Sequence, residues 1–352
     1  MGEVEVTRRY YWCRTCHESQ MPFDAWSGLI ADAAGMTTPA ARRMLALAGM
    51  SFSFDTASAR LAELCLLKVS NDTIRRVSEA QGEAAQQFLA ASAAPGQAFA
   101  RAKGDVEFYT DGVTVNTTGG WRDLRLNVFD KRQAGAPASP EKWANRVLPA
   151  PTVRIAWASM EACEQQGLAW KRQGEQLGVV DDEHLSVLAD GAKWIWDQAR
   201  QCWTCAQWVL DVFHVSQHIH DCGKTIFGEK DPRARAWSEA QVQSLIEHGP
   251  VRYLNDLKDF TATHADGVKL KALESLLNYL TPNVDSMWYK QRLAEGRPIG
   301  SGLIEGANKT IVSNRLKLNS ARWTPEHAEH ITALRCLDYS GLWEPFWNQR
   351  AA

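Results

Sequence analysis

Apolar residues recur at helical spacing through Thr37 to Gly49 and again through Phe54 to Leu66, which predicts two amphipathic helices. After a break, Ser70 is a suitable N-cap, so a third helix is expected from there to Gln81. The pattern changes at Gly104. Asp105 to Asp111 reads as a strand ending at an Asp-Gly turn. Trp121 to Asp130 sets Leu124, Leu126 and Val128 against Arg125 and Asn127, the two-residue period of a strand. Gln133 to Pro151 is rich in Ala, Pro and Ser and reads as a loop. Val153 to Ala158 is a strand candidate and Ser159 to Leu177 a helix. Leu185 to Asp190 is a strand again ending at Asp-Gly. Lys193 to Gln201 is helical, Trp208 to Val212 a short strand, and a helix follows through Ile226.

Three strands followed by helix, strand, helix, strand and helix imply a mixed α/β sheet with helices on its faces. From Asp231 to Glu295 the pattern turns helical, with Leu270, Leu273, Leu276, Leu277 and Leu280 along one stripe. Arg297 to Gly302 is a loop, Ser301 is placed to cap a helix from Leu303 to Leu318, and a last helix is expected from Pro325. These shifts divide the chain into a cysteine-bearing segment (1–30), a helical region (31–100), an α/β region (101–230), a helical insertion (231–296) and a return to the α/β region (297–352). In the second segment, two helices joined by a tight turn, with Asn71, Asp72, Arg75 and Arg76 outward, read either as a DNA-binding helix-turn-helix or as a plain helical hairpin.

The candidate chemistry lies in three acids. Asp111 and Asp190 each end a predicted strand, where open α/β sheets bind ligands. The glycine after each leaves the backbone free to turn and a ligand room to approach. Asp-Gly is also a common turn dipeptide. Glu305 stands in the first turn of a helix behind a glycine-rich loop. Three carboxylates gathered together would repel one another without a divalent cation. Hard oxygen ligands suit Mg²⁺, and two such ions serve in-line attack on a phosphodiester.

Composition narrows the setting. The chain has 352 residues, 45% hydrophobic and 23% charged, with net charge −2, so any nucleic-acid surface must be local. Lys290 to Trp323 supplies one, or else a solvated helix face. It carries Lys290, Arg292, Arg297, Lys309, Arg315, Lys317 and Arg322 against Glu295 and Glu305. No apolar run is long enough to span a membrane. Met1 to Tyr10 is charged throughout, so a cytoplasmic, nucleoid-associated location is expected. Among eight cysteines, Cys13 and Cys16 with His17 match half of a zinc ribbon. Haem attachment at the same motif would require export. The second pair at that spacing, Cys202 and Cys205, lies inside the α/β region. Trp194 and Trp196, just after Asp190, serve either base stacking or the core.

Taken in order, several stretches resemble bacterial insertion-sequence transposases of the DDE class, most closely the ISKra type. They are Asp111-Gly112 with Trp121 to Arg125; Leu188 to Trp196; Leu210 to His214; and Ile299 to Glu305 with Arg315 to Lys317. The match runs from about Gly104 to Trp347. The resemblance implies an RNase H-like fold interrupted by a helical insertion before the Glu. It implies Asp111, Asp190 and Glu305 as the catalytic triad holding two Mg²⁺ or Mn²⁺ ions, with Asp211 and His214 as an accessory pair. His214 also reads as a satisfied helix histidine. The resemblance further implies DNA ends and target DNA as partners, a homo-oligomer, and Lys309, Arg315 and Lys317 facing phosphates; Arg322 of the same basic tract, and Arg75 and Arg76 of the helix-turn-helix reading, are further DNA-binding candidates. A nuclease that cuts without joining and an inactive DNA-binding relative are the alternatives.

Overall fold

The computed structural model describes residues 7, 9–27, 30–32, 35–181, 183–264 and 267–351. Its centre is a five-stranded mixed sheet flanked by helices. The strands are β1 (Asp105–Thr117), β2 (Gly120–Arg132), β3 (Val153–Ser159), β4 (Ser186–Ala189) and β5 (Gln207–Leu210). They lie in the order β3-β2-β1-β4-β5. β1, β2 and β3 are antiparallel neighbours, whereas β4 and β5 run parallel to β1.

β1 does not stop at Asp111. Its alternation continues through Val113 and Val115, which face Leu124 and Arg122 of β2, and the chain reverses only after Thr117, where Gly120 takes φ +101°. Cross-strand pairing to β2 outweighs the turn tendency of Asp-Gly. β4 pairs with β1 only as far as Tyr109, so Asp111 stands at the rim of the parallel half of the sheet although it lies mid-strand.

Alternation gives the sheet two different faces. One carries Phe108 and Phe129, whose rings meet at 4.8 Å and which pack with Trp157, Trp170 and Trp203. Trp170 and Trp203 come from the helices α4 (Cys163–Leu177) and the turn after α5 (Lys193–Cys202). Trp196 is buried in the same core, and Trp194 lies 5.9 Å from Trp170 with Arg125 over its ring. The core reading of these tryptophans is therefore the one their packing supports. The other face carries Glu107, Tyr109 and Asp111 on β1 and Asp130 and Arg132 on β2.

The N-terminal helices are α1 (Pro39–Ser51), α2 (Phe54–Cys65) and α3 (Asn71–Ala91). Thr38, Ser53 and Ser70 cap them by accepting N–H bonds at 3.1–3.2 Å. α3 continues well past Gln81 because Ala85, Phe88 and Leu89 extend its buried stripe. It packs on α12 (Pro325–Tyr339), where a Cβ on Gly82 would stand 2.4 Å from the His330 carbonyl oxygen. α6 (Val212–Phe227) follows β5. The next stretch folds as α7 (Pro232–His248), α8 (Pro250–His264), α9 (Gly267–Leu280) and α10 (Tyr289–Ala294). The helix expected after Ser301 is only α11 (Gly302–Ala307), continued by a wide π turn at Asn308–Ser313 and a last turn at Asn314–Leu316. Beyond α12 the chain forms one more helix, α13 (Trp343–Ala351), which the periodicity left unread. Among the described residues no helix is long and apolar enough to cross a membrane.

Candidate active site

Sheet register brings the acids together. β1 and β4 pair Tyr109 with Leu188, and β4 and β5 pair Ala189 with Leu210. Carried forward, the same register sets Asp111 beside Asp190 and Asp190 beside Asp211. The Asp211 N–H bonds the Ala189 carbonyl at 2.9 Å, the last bond of the β4–β5 ladder. Residues in register on parallel strands point to the same face at about 4.8 Å spacing. Asp111, Asp190 and Asp211 thus gather at the carboxyl rim, where the charge of Asp190 acts on both Asp111 and His214.

Each carboxylate is oriented. Asp111 accepts from the Gly112 N–H at 2.7 Å and from Asn308 Nδ2 at 2.6 Å. Burial pushes its carboxyl above the usual range, opposed by the Gly112 N–H, and the charges of Asp190 and Glu305 push it further. Asp190 accepts from the Ala192 N–H at 2.9 Å, while Tyr279 of α9 donates to the Asp190 carbonyl at 2.8 Å. Tyr289 bonds the Leu210 carbonyl at 2.8 Å, so the helical stretch clasps the ends of β4 and β5.

Asp211 is fully buried at the head of α6. It accepts from the Phe213 N–H at 2.8 Å, from His214 Nδ1 at 3.0 Å and from Ser301 Oγ. Burial would raise its carboxyl, but the His214, Ser301 and Phe213 bonds hold it below the usual range. The Asp211 bond in turn raises His214, with Asp190 and Glu305 adding to the effect. With Nδ1 engaged, His214 presents Nε2 as its free nitrogen, the arrangement of a carboxylate-oriented metal ligand. Asp211, His214 and Glu305 offer ligand atoms all within 4.8 Å of one another. The expected triad and this cluster share Glu305 alone. Asp111 and Asp190 stand outside the tight group yet near enough to shift the charges inside it.

Two participants escaped the sequence reading. Ser301 makes no cap; its hydroxyl serves Asp211 instead. Asn308 opens the π turn, a feature frequent at functional sites. It is buried, and its Oδ1 has no partner. Gly300 is also demanded by space: a Cβ there would lie 2.8 Å from the Phe213 ring and 3.1 Å from Asp211 Oδ1. Gly300→Ala is expected to cost about 1–3 kcal/mol of stability through overpacking and to weaken Mn²⁺ binding, measured by urea unfolding and by titration. Unaltered values for both would show that the loop relaxes around the methyl group.

The cations differ from expectation. Arg315 does not face solvent. It is buried between the rings of Phe54 and Trp323, each 4.7 Å away, and its Nε donates to the Gly49 carbonyl. Burial lowers its pKa to about 10. Arginine flattened between aromatic faces joins α2 to the end of the chain rather than meeting phosphate. Arg75 pairs with Asp72 and Glu79, and Arg76 with Asp72, so neither is a free phosphate ligand. Arg292 is buried and bonds Pro298, Gln207 and Ser186. Arg322 braces the β1–β2 tip through Thr117 and Thr118 carbonyls. Lys309 and Lys317 remain exposed.

Cys13 and Cys16 lie exposed on a hairpin of Tyr11–Trp12 and Ser19–Gln20. The Cys16 N–H reaches Cys13 Sγ at 3.5 Å, lowering that thiol to about 7. Among the described residues no third ligand joins them in a metal-holding group. Cys202 does not complete a site, since it is half-buried, bonds the Gly167 carbonyl and is raised by burial to about 11.

No protein-family model matches the chain, and no curated protein matches it.

Proposed function

We propose that this protein is a metal-dependent DNA transposase of the DDE type with an RNase H-like fold. The strand order β3-β2-β1-β4-β5, with the first three antiparallel and the last two parallel to β1, supports the fold. The observation that carries the function is the group of Asp211, His214 and Glu305, with Asp111 and Asp190 close enough for their charges to act on it or on each other.

The donor set fits a divalent cation. Asp111, Asp190 and Glu305 provide hard oxygens, and the partnerless Asn308 Oδ1 adds a polar atom beside Asp111. Nε2 of His214 is a softer ligand than carboxylate, so Mn²⁺ suits the set at least as well as Mg²⁺. Bound there, a divalent ion would polarise a phosphodiester and lower the pKa of an attacking oxygen. The residues do the rest. Asn308 and the Gly112 N–H fix the Asp111 carboxylate, and Asp211 fixes the His214 ring. Lys309, one turn beyond Glu305, offers a cation to the DNA backbone. The substrates are element ends and target DNA, bound by a homo-oligomer in the cytoplasm.

The test is a strand-transfer assay with labelled duplexes carrying the ends of the surrounding DNA element. Joined product is expected with Mn²⁺ or Mg²⁺, and none after chelation. Cleavage without joining would assign a nuclease instead. Product that survives chelation would remove the metal.

A further inference from the structure

A cavity of about 520 Å³ lies on the polar face of the sheet, next to the acidic rim. Its floor is Tyr109 and Arg132, and its walls include Trp143, Arg146, Arg154 and Phe213. The size falls within the range of small-molecule sites. Gly300 is the shared wall: a Cβ there would meet both the Phe213 ring that lines the cavity and the Asp211 carboxylate at the rim.

Three features mark it as built for a ligand. First, its cations exceed its anions. Arg132 is matched by Glu107 and Asp130 behind it, and Arg154 lies over the Tyr339 ring at 4.3 Å. Arg146 has no ion pair or hydrogen bond, and its Nη1 is buried without a partner. A guanidinium nitrogen so placed lacks an acceptor that a bound anion would supply. Second, Gly302 and Gly306, one turn apart on α11, line the cavity with nothing within 4 Å of where a Cβ would stand. Neither has a positive φ. Gly306 lies inside the helix, where glycine costs about 1 kcal/mol relative to alanine, and packing does not account for it. Third, the Trp143 and Phe213 rings meet at 5.7 Å at the cavity wall and offer flat apolar surface.

We infer that this cavity is a subsite for one nucleotide of the substrate strand, with its phosphate on Arg146 and its base against Trp143 and Phe213. Arg154 adds a second cation at the same wall, and the bare face of α11 leaves room for the sugar. The inference rests on the DNA-processing reading of the neighbouring rim. It names where a nucleotide beside the cleaved bond is held. Base–aromatic contact tolerates any base, so the subsite positions the strand without reading its sequence.

The experiment uses the full chain with a single-stranded oligonucleotide containing 2-aminopurine, in chelator, so that the metal ligands do not contribute. Stacking quenches the probe. Wild-type protein is expected to quench it, with deoxyadenosine monophosphate competing better than inorganic phosphate. Arg146→Ala should weaken binding at least about tenfold, as loss of one charge-assisted contact predicts. Trp143→Ala should abolish most of the quenching. Both variants should keep wild-type Mn²⁺ binding, and Arg146→Ala should also keep wild-type melting, whereas Trp143→Ala loses some stability with its ring packing on Phe213. Asp190→Asn should lose Mn²⁺ yet quench normally. Quenching and affinity unchanged in both cavity variants would overturn the subsite. Equal competition by inorganic phosphate would reduce it to an anion site. Quenching that depends on Arg146 and Trp143 in a protein that joins no DNA would keep the subsite and reject the transposase reading.

Discussion

Asp190→Asn is expected to lower metal-dependent strand cleavage on the order of a thousandfold or more, with the fold intact. The substitution keeps the shape of the side chain and the oxygen that accepts the Ala192 N–H. It removes a charge that acts on both Asp111 and His214. A contribution of about 4 kcal/mol to the transition state corresponds to about three powers of ten in rate. Asp111→Asn and Glu305→Gln should fall comparably. Asp221→Asn, on the exposed side of α6 and paired only with Lys224, should cut as wild type. Loss of Mn²⁺ affinity alongside activity, at unchanged melting temperature, would assign the effect to the site. A variant that cuts normally would remove that residue from the chemistry.

Arg132→Met should produce the largest loss of stability, about 3–5 kcal/mol, because it strands two buried carboxylates. Arg132 is nine-tenths covered and bonds Glu107 at 3.1 Å and Asp130 at 3.2 Å. Tyr109 also donates to Glu107 at 2.6 Å, which leaves the guanidinium as the one cation directly paired with both acids. Burial already pushes the Asp130 carboxyl far above its ordinary range, the Glu107 charge adds to this, and Arg132 opposes it. A carboxyl whose folded pKa exceeds its unfolded value contributes stability that is complete at low pH and lost as pH rises through the folded pKa. Removing Arg132 raises that folded pKa further. The deficit of Arg132→Met should therefore narrow as pH falls across the interval in which the native fold persists. Urea unfolding at both ends of that interval measures it. The triple variant Glu107→Gln/Asp130→Asn/Arg132→Met should recover much of the loss. A deficit independent of pH would mean that packing, not unpaired charge, sets the cost.

Much of this was legible along the chain. The alternation in Trp121 to Asp130 located β2, and the cap at Ser70 and the first-turn Pro325 start helices where the pattern begins. Candidate acids were visible because Asp190 and Glu305 stand at changes of element and Asp111 at an Asp-Gly that reads as one, although β1 runs on through it to Thr117. Arg315 misled, since an arginine in a basic tract looks the same in sequence whether it meets water or two rings. Only the approach of Phe54 and Trp323 from distant segments buries it. Ser301 misled similarly, because capping and service to Asp211 both begin from a serine before a helix.

Local periodicity determines which residues form strands and helices, because backbone geometry repeats every two or 3.6 residues. It therefore sufficed for the α/β class and for the acids as candidates. Which acids meet is decided by strand register and by how the 297–316 segment lies across the sheet. Register set Asp190 and Asp211 at the ends of neighbouring strands, and the π turn carried Asn308 onto Asp111. Those contacts join residues up to 197 positions apart, a separation that no local pattern encodes and only the packed core enforces.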